Sequence, residues 1–344
     1  MSPVDATANS PHPHAGAGRP LDTETSSGGV LVGVCSWTDP TLLSSGWYPA
    51  NARTAEARLR YYATQFGLVE VDSTYYALPA ERAVAGWIRR TPGDFVFNIK
   101  AYAPLTQHAL DLRTLPPALR DKLPDKLRSQ QRLYARDLPS WLGRALWQRF
   151  RAAIQPLHKA GKLGSILLQF PPWFRISRAN RDYIAHIRTL LPDYRLAVEF
   201  RHISWLQDRS QKETLDHLTD QGITYVGVDE PQGFRSSVPP VVAATNPALG
   251  MVRLHGRNRE AWSMPGQHSA ERFNYRYSLA ELEEWLPRVR ELAAATGETH
   301  VLFNNCYSDS GVRNAGEFAQ LLGDQAPRKP APQYLPGMEP TSEE

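Results

Sequence analysis

The sequence predicts an α/β chain folded as a single eight-stranded parallel barrel, (β/α)8, of the TIM type. Three observations carry the prediction. Eight short runs rich in Val, Ile, Leu and Phe recur between residues 30 and 305, as parallel strands covered on their outer face should. Amphipathic helical patterns fill most of the gaps. The first strand-to-helix turn, CSWTDPTLLSSGWYP, lacks the glycine-rich phosphate fingerprint of the main competitor, a doubly wound open sheet.

Taken in order, the strands are VLVGVCSW (30–37), LVEVDSTYY (68–76), FVFNIKA (95–101), SILLQF (165–170), LAVEFR (196–201), TYVGVD (224–229), GMVRLHG (250–256) and HVLFNN (300–305). Helices are expected at 54–66, where Thr54 supplies an N-cap, and at 81–90, which Pro92 stops. A third stripe runs through Tyr183, Ile184, Ile187, Leu190 and Leu191, and a weaker one through Leu215 and Leu218, closed by Gly222. The pattern at 279–295 is the longest, with Pro287 inside it as a kink, and Phe318, Leu321 and Leu322 mark a last helix. Two connections depart from the ideal unit. Residues 230–249 are Pro-rich with no convincing helix, and 102–164 is far longer than a crossover needs.

The domain is placed at 30–325, with residues 102–164 as an insertion after the third strand. Residues 1–29 and 326–344, rich in Pro, Ser, Gly and Ala or in Pro and charge, are expected to be disordered tails. The insertion ends in an amphipathic helix through Leu142, Leu146, Phe150 and Leu157. Before it, seven Lys and Arg residues between Arg113 and Arg136 alternate with Asp111, Asp121, Asp125 and Asp137. Two readings are open for this part, a lid over an anionic ligand or a solvated loop.

Cys35 and Cys306 are the only cysteines and form no CxxC pair, which argues against a disulfide scaffold or a thiolate zinc site. No secretory signal or membrane-length apolar stretch is evident, so the cytoplasm is the expected location. Thirty-nine Lys and Arg stand against 35 Asp and Glu, a formal charge of +4 that permits a polyanionic partner without demanding one. Oligomeric state is not legible.

Side chains alternate along a strand, so residues two apart share a face. Glu70 and Asp72, Asn98 and Lys100, Glu199 and Arg201, and Arg253 and His255 each lie opposite apolar neighbours that belong against helices. Gln169, Asp229, Asn304 and Asn305 extend the scheme, so that nearly every strand ends in a polar residue at the barrel mouth, where such folds collect function. Internal charge balance accounts for some of these residues, because buried ions need partners. A ring this regular points to a ligand.

These strand ends carry a resemblance. GVCSW, YYATQFGLVEVDSTYYALP, LLQFPPWF, AVEFRHISW, VGVDEPQ, VRLHGR and FNNCYSDSGVRNA together resemble the domain-of-unknown-function 72 (YecE-like) family, from about Val32 to Leu322. The resemblance implies a barrel and no established reaction. Its motif residues here are Trp37, Glu70, Ser73, Tyr75, Tyr76, Lys100, Gln169, Glu199, Arg201, His202, Trp205, Asp229, Arg253, His255, Gly256, Arg257, Asn304, Asn305 and Asn314. Cys35-Ser36-Trp37 departs from a pattern that usually has glycine before the tryptophan.

Lys100, Arg201, Arg253, Arg257 and His255 would give one mouth a positive potential suited to a small anionic, phosphorylated or nucleotide-like substrate. Glu199, His255 and Asp229 are the catalytic acid–base candidates. Gln169, Asn304, Asn305, Trp37 and Tyr76 join the four cationic Lys and Arg side chains as substrate-binding candidates, and Tyr75, Trp173 and Trp205 offer further flat faces. The chemistry expected is hydrolysis, elimination or isomerisation by an enzyme. A divalent Mg or Mn ion on Glu70, Glu199, Asp229 and His255 is a second possibility. A Schiff base on Lys100 is a third, and a nucleic-acid-binding module using the basic insertion is the non-enzymatic alternative.

Overall fold

The computed structural model describes residues 29–262, 264 and 269–323, so both tails lie outside the described residues. Ten strands occur in chain order: β1 (Gly29–Val34), β2 (Leu68–Val71), β3 (Val96–Lys100), β4 (Leu110–Asp111), β5 (Arg132–Leu133), β6 (Leu163–Gln169), β7 (Leu196–Glu199), β8 (Thr224–Asp229), β9 (Gly250–Leu254) and β10 (Glu298–Phe303). Eight of them close into a parallel barrel in the order β1-β10-β9-β8-β7-β6-β3-β2, while β4 and β5 form a small antiparallel pair. The TIM-type prediction holds, and each predicted run overlaps one barrel strand, with β1, β6 and β10 starting one or two residues earlier than predicted.

Helices pack outside the barrel, and their caps follow from the sequence. Thr54 accepts from the Ala57 amide to start helix Ala55–Gln65. Gly222, in the left-handed region at φ +60, follows the end of helix Arg209–Asp220. The stripe at 279–295 is two helices rather than one kinked one, Leu279–Glu283 and Leu286–Ala295, with Pro287 in the first turn of the second, where its missing N–H costs nothing. No helix follows β8. Val241 and Val242 of the irregular chain cover that strand instead, with the Val241 carbonyl 2.9 Å from where a Cβ on Gly227 would stand.

The insertion is shorter than the sequence suggests. Helix Ser140–Lys159 packs against helix Glu81–Arg89 and β6 as the barrel's own crossover helix, so the extra chain is 102–139. That segment is packed, with Leu110, Leu112, Leu115, Leu119, Leu123 and Leu133 all buried. Each such leucine contributes about 1.5–3 kcal/mol of burial, which supersedes the solvated-loop reading. Three of its five arginines are paired locally: Arg113 with Asp111 at 2.6 Å, Arg136 with Asp137 at 3.7 Å, and Arg128 with Asp125.

Candidate functional site

Register fixes which side chains enter the barrel. Arg253 on β9 lies beside Val228 on β8 and Leu302 on β10, and their neighbours Asp229, Leu254 and Phe303 form the opposite, outward row. Low in the barrel, Asn98 of β3 hydrogen-bonds to His300 Nδ1 of β10 at 3.0 Å and accepts from Ser165 of β6 at 3.0 Å. Gly164 makes room for this network, because a Cβ there would stand 2.5 Å from Val96, 2.6 Å from Asn98 and 2.9 Å from His300.

Above it lies a fully buried ion cluster. The Arg253 guanidinium donates to Glu70 Oε1 at 2.7 Å, to Glu199 Oε2, and to the Cys35 sulfur at 3.4 Å. Arg253, Glu70 and Glu199 are all inaccessible to solvent. Glu199 Oε1 also accepts from Gln169 Nε2 at 2.7 Å, lies 3.1 Å from His255 Nε2 and has Arg201 at 3.5 Å. Burial alone would raise the Glu199 pKa, but Arg253, His255 and Arg201 together hold it well below the usual carboxylate range. Burial pushes His255 down to about 4 despite Glu199, so its imidazole is neutral at pH 7. Its tautomer is set by Asn304, whose amide nitrogen lies 2.9 Å from Nδ1 and places the proton on Nε2, toward Glu199.

The upper mouth is different in kind. Lys100 ends β3, and Asp72 follows β2 as the first residue of the 3-10 turn Asp72–Tyr75, one position beyond the Val71–Ile99 pair and near enough that each charge acts on the other. Burial raises Asp72 to about 6 against the pull of Lys100, and burial with Arg253 lowers Lys100. Among the described residues the Lys100 ammonium makes no ion pair; it lies 4.8 Å over the Tyr75 ring. His108, from the start of the insertion, packs edge-on against Tyr75 at 5.1 Å and against the half-exposed Trp173 at 5.9 Å. Arg201 completes the rim, its guanidinium 4.6 Å over Trp262 and 3.4 Å from Glu230.

Of the sequence candidates, the structure brings together Glu70, Lys100, Gln169, Glu199, Arg201, Arg253, His255 and Asn304. It corrects others. Trp37 is buried between barrel and helices against Trp87 and Phe97, at 6.0 and 6.5 Å, and offers no stacking face. Trp205 is likewise core, its ring stacked on Phe200 at 4.2 Å. Asn305 points out of the barrel because its neighbour Asn304 points in, and its amide serves the Tyr275 carbonyl and Asn314. Asp229 lies in the outward row, paired with Arg257 at 2.9 Å. Arg257 is further claimed by Glu281 and Glu284 at 3.3 and 2.9 Å, so it adds no free charge to the mouth. Arg253 acts beneath the mouth and has no surface to offer a substrate. Tyr76 is exposed at the rim beside Tyr75, ring centres 5.1 Å apart.

The four metal candidates do not converge. Glu70 and Glu199 serve Arg253, both His255 nitrogens are engaged, and Asp229 faces away; among the described residues no group of three or more His, Cys, Asp or Glu is placed to hold a metal ion. Sequence reasoning missed Glu230, His108 and Trp262 and left Asp72 out of the acid–base set. Glu230, the residue just after β8, approaches Arg201 at 3.4 Å, and burial raises its carboxyl to about 7.

The strand order and the polar residues at the carboxyl ends of the strands define a TIM-type (β/α)8 barrel. The chain belongs to the DUF72 family, "Protein of unknown function DUF72", whose family pattern matches residues 31–336. It is 29% identical over 296 residues to the UPF0759 protein YunF of Bacillus subtilis, covering 85% of this chain and 94% of that one. It is 25% identical over 242 residues to YecE of Escherichia coli K12, covering 65% and 74%. A DUF72 protein structure from Thermotoga maritima superimposes with a TM-score of 0.67 at 32% identity, covering 85% of this chain and 98% of that one. One from Enterococcus faecalis superimposes at 0.68 and 25% identity, covering 85% and 95%. Among the described residues, no helix is long and apolar enough to cross a membrane.

Proposed function

We propose that this protein is an enzyme that binds a small anionic substrate, a sugar phosphate or related compound, at the barrel mouth and isomerises it by proton transfer. The observation that carries the reading is Lys100, a cation in the mouth with no carboxylate ion pair among the described residues, beside a carboxyl tuned toward neutrality. In this reading Asp72 as carboxylate takes a proton from the substrate carbon next to a carbonyl. Lys100 and Arg201 hold the negative charge that develops on the carbonyl oxygen; Asp72 returns the abstracted proton to the former carbonyl carbon while the adjacent hydroxyl passes its proton to the former carbonyl oxygen, so that carbonyl and hydroxyl exchange places. Glu199, saturated by four donors, is a positioning residue: it fixes Gln169, His255 and Arg201 and keeps the cluster ionised. The earlier assignment of base catalysis to Glu199 therefore passes to Asp72.

The experiment is hydrogen exchange into a panel of sugar phosphates in D2O, followed by proton NMR. Wild type should label at least one compound, and Asp72→Asn should slow labelling by about 100-fold or more, the usual weight of a general base. Labelling of none, or equal labelling by Asp72→Asn, would overturn the reading. The nucleic-acid alternative has weaker support, because Arg113, Arg128 and Arg136 of the basic insertion are paired with neighbouring aspartates.

A further inference from the structure

A cavity of about 360 Å³ opens at the rim where the barrel lacks its helix after β8. Pro231, Gln232 and Pro240 of the irregular chain form one side, Arg257 and Arg259 of the loop after β9 another, and Glu284 and Arg288 a third. The size is that of a small-molecule site. Its wall is shared with the mouth, because Glu230 both lines this cavity and pairs with Arg201.

Charge around the cavity is unevenly neutralised. Asp229 and Glu284 are both bound to Arg257. Arg259 and Arg288 have no carboxylate among the described residues. Each is pinned instead by one backbone carbonyl and one aromatic ring. Arg259 donates Nη1 to Gln232 O at 2.7 Å and lies 5.4 Å over Phe234. Arg288 donates Nη1 to Pro240 O at 3.0 Å and lies 5.0 Å over Trp285. In both, Nε and the second Nη have no protein partner among the described residues. Holding an exposed arginine this way costs rotamer entropy, and both guanidinium groups face one cavity without an ion pair of their own. An anion in the cavity uses their idle donors, and guanidinium forks match phosphate oxygens in geometry.

We propose that this cavity is the phosphate subsite: Arg259 and Arg288 bind the phosphoryl group of a phosphomonoester whose reacting end lies across Glu230 and Arg201 in the mouth. The proposal rests on the reading above for what happens at that reacting end, and its own test concerns binding alone.

The test is calorimetric titration of glycerol 3-phosphate, inorganic phosphate and glycerol at constant ionic strength. The proteins are wild type, the Arg259→Ala/Arg288→Ala double variant and Lys100→Met. Both arginines are exposed, so the double variant should keep the wild-type melting temperature. Glycerol 3-phosphate and phosphate should bind wild type and glycerol should not. The double variant should lose at least tenfold in affinity and Lys100→Met less than threefold. Unchanged affinity in the double variant, loss in Lys100→Met instead, or no phosphate binding by wild type would each overturn the assignment. Failure of the proton-transfer reading looks different: phosphate binding intact and no hydrogen exchange.

Discussion

Arg253 is the residue on which the barrel interior depends. It is wholly buried, and so are its two carboxylate partners. Removing one partner of a buried ion pair leaves the other uncompensated, at a cost of about 3–5 kcal/mol. Arg253→Met should therefore lower the unfolding free energy measured in urea by that much, and a loss under 1 kcal/mol would show that the cluster relaxes. Glu199→Gln would disturb the same cluster, so lost turnover in that variant would not by itself identify a base. Glu230 behaves in the opposite sense to Glu199. Its pKa is raised from 4.5 to about 7, so the folded state favours the protonated acid. That contribution is fully present below about pH 4.5 and is lost as pH rises through 7. Glu230→Gln, neutral at every pH, should thus gain on wild type between pH 5 and 8, by up to about 3 kcal/mol at the upper end. Parallel stability–pH curves for the two proteins would refute the assignment.

At the scale of the strand, period-two alternation made most of the site legible before any coordinates. It placed Glu70, Lys100, Gln169, Glu199, Arg201, Arg253 and His255 inside correctly, because on those strands one row is polar and the other apolar. It failed where that contrast is missing. In TYVGVD both rows are mostly apolar, so the terminal Asp229 was assigned inward when register turns it out and brings Glu230 to Arg201. At Asn304-Asn305 two identical residues gave no signal for which one faces in. His108 was invisible for another reason: it sits in the insertion, and only the packing of that segment brings it to Tyr75. The strands also carry a steric requirement. A Cβ on Gly33 of β1 would stand 2.1 Å from the Leu68 carbonyl oxygen of β2, a backbone atom that cannot rotate away. Gly33→Ala should force these strands apart and cost about 1–3 kcal/mol, the usual range for overpacking. An unchanged thermal midpoint would mean that the β1–β2 edge is looser than its register indicates.

Over the whole molecule, the formal charge of +4 invites the view that the surface as a whole attracts polyanions. The arrangement of the charge argues otherwise. Arg113, Arg128 and Arg136 of the insertion are matched with nearby aspartates, Arg257 is matched three times over, and Arg253 is sealed inside. Among the described residues, Lys100 in the mouth and Arg259 and Arg288 around a cavity of small-molecule size have no carboxylate ion pair. Such a distribution recognises a compact anion with charge at one or two points rather than a string of phosphates, which needs a continuous track of cations. A labelled 20-nucleotide single strand should accordingly bind no more tightly than about 100 µM at physiological salt, the weak end of non-specific affinity. Fluorescence anisotropy at 50 and 200 mM salt would measure it. Sub-micromolar binding that collapses between those salts, and that survives Lys100→Met and the double arginine variant, would return the insertion to the centre of the functional account. Binding that disappears in those variants would instead mean that the strand had entered through its terminal phosphate.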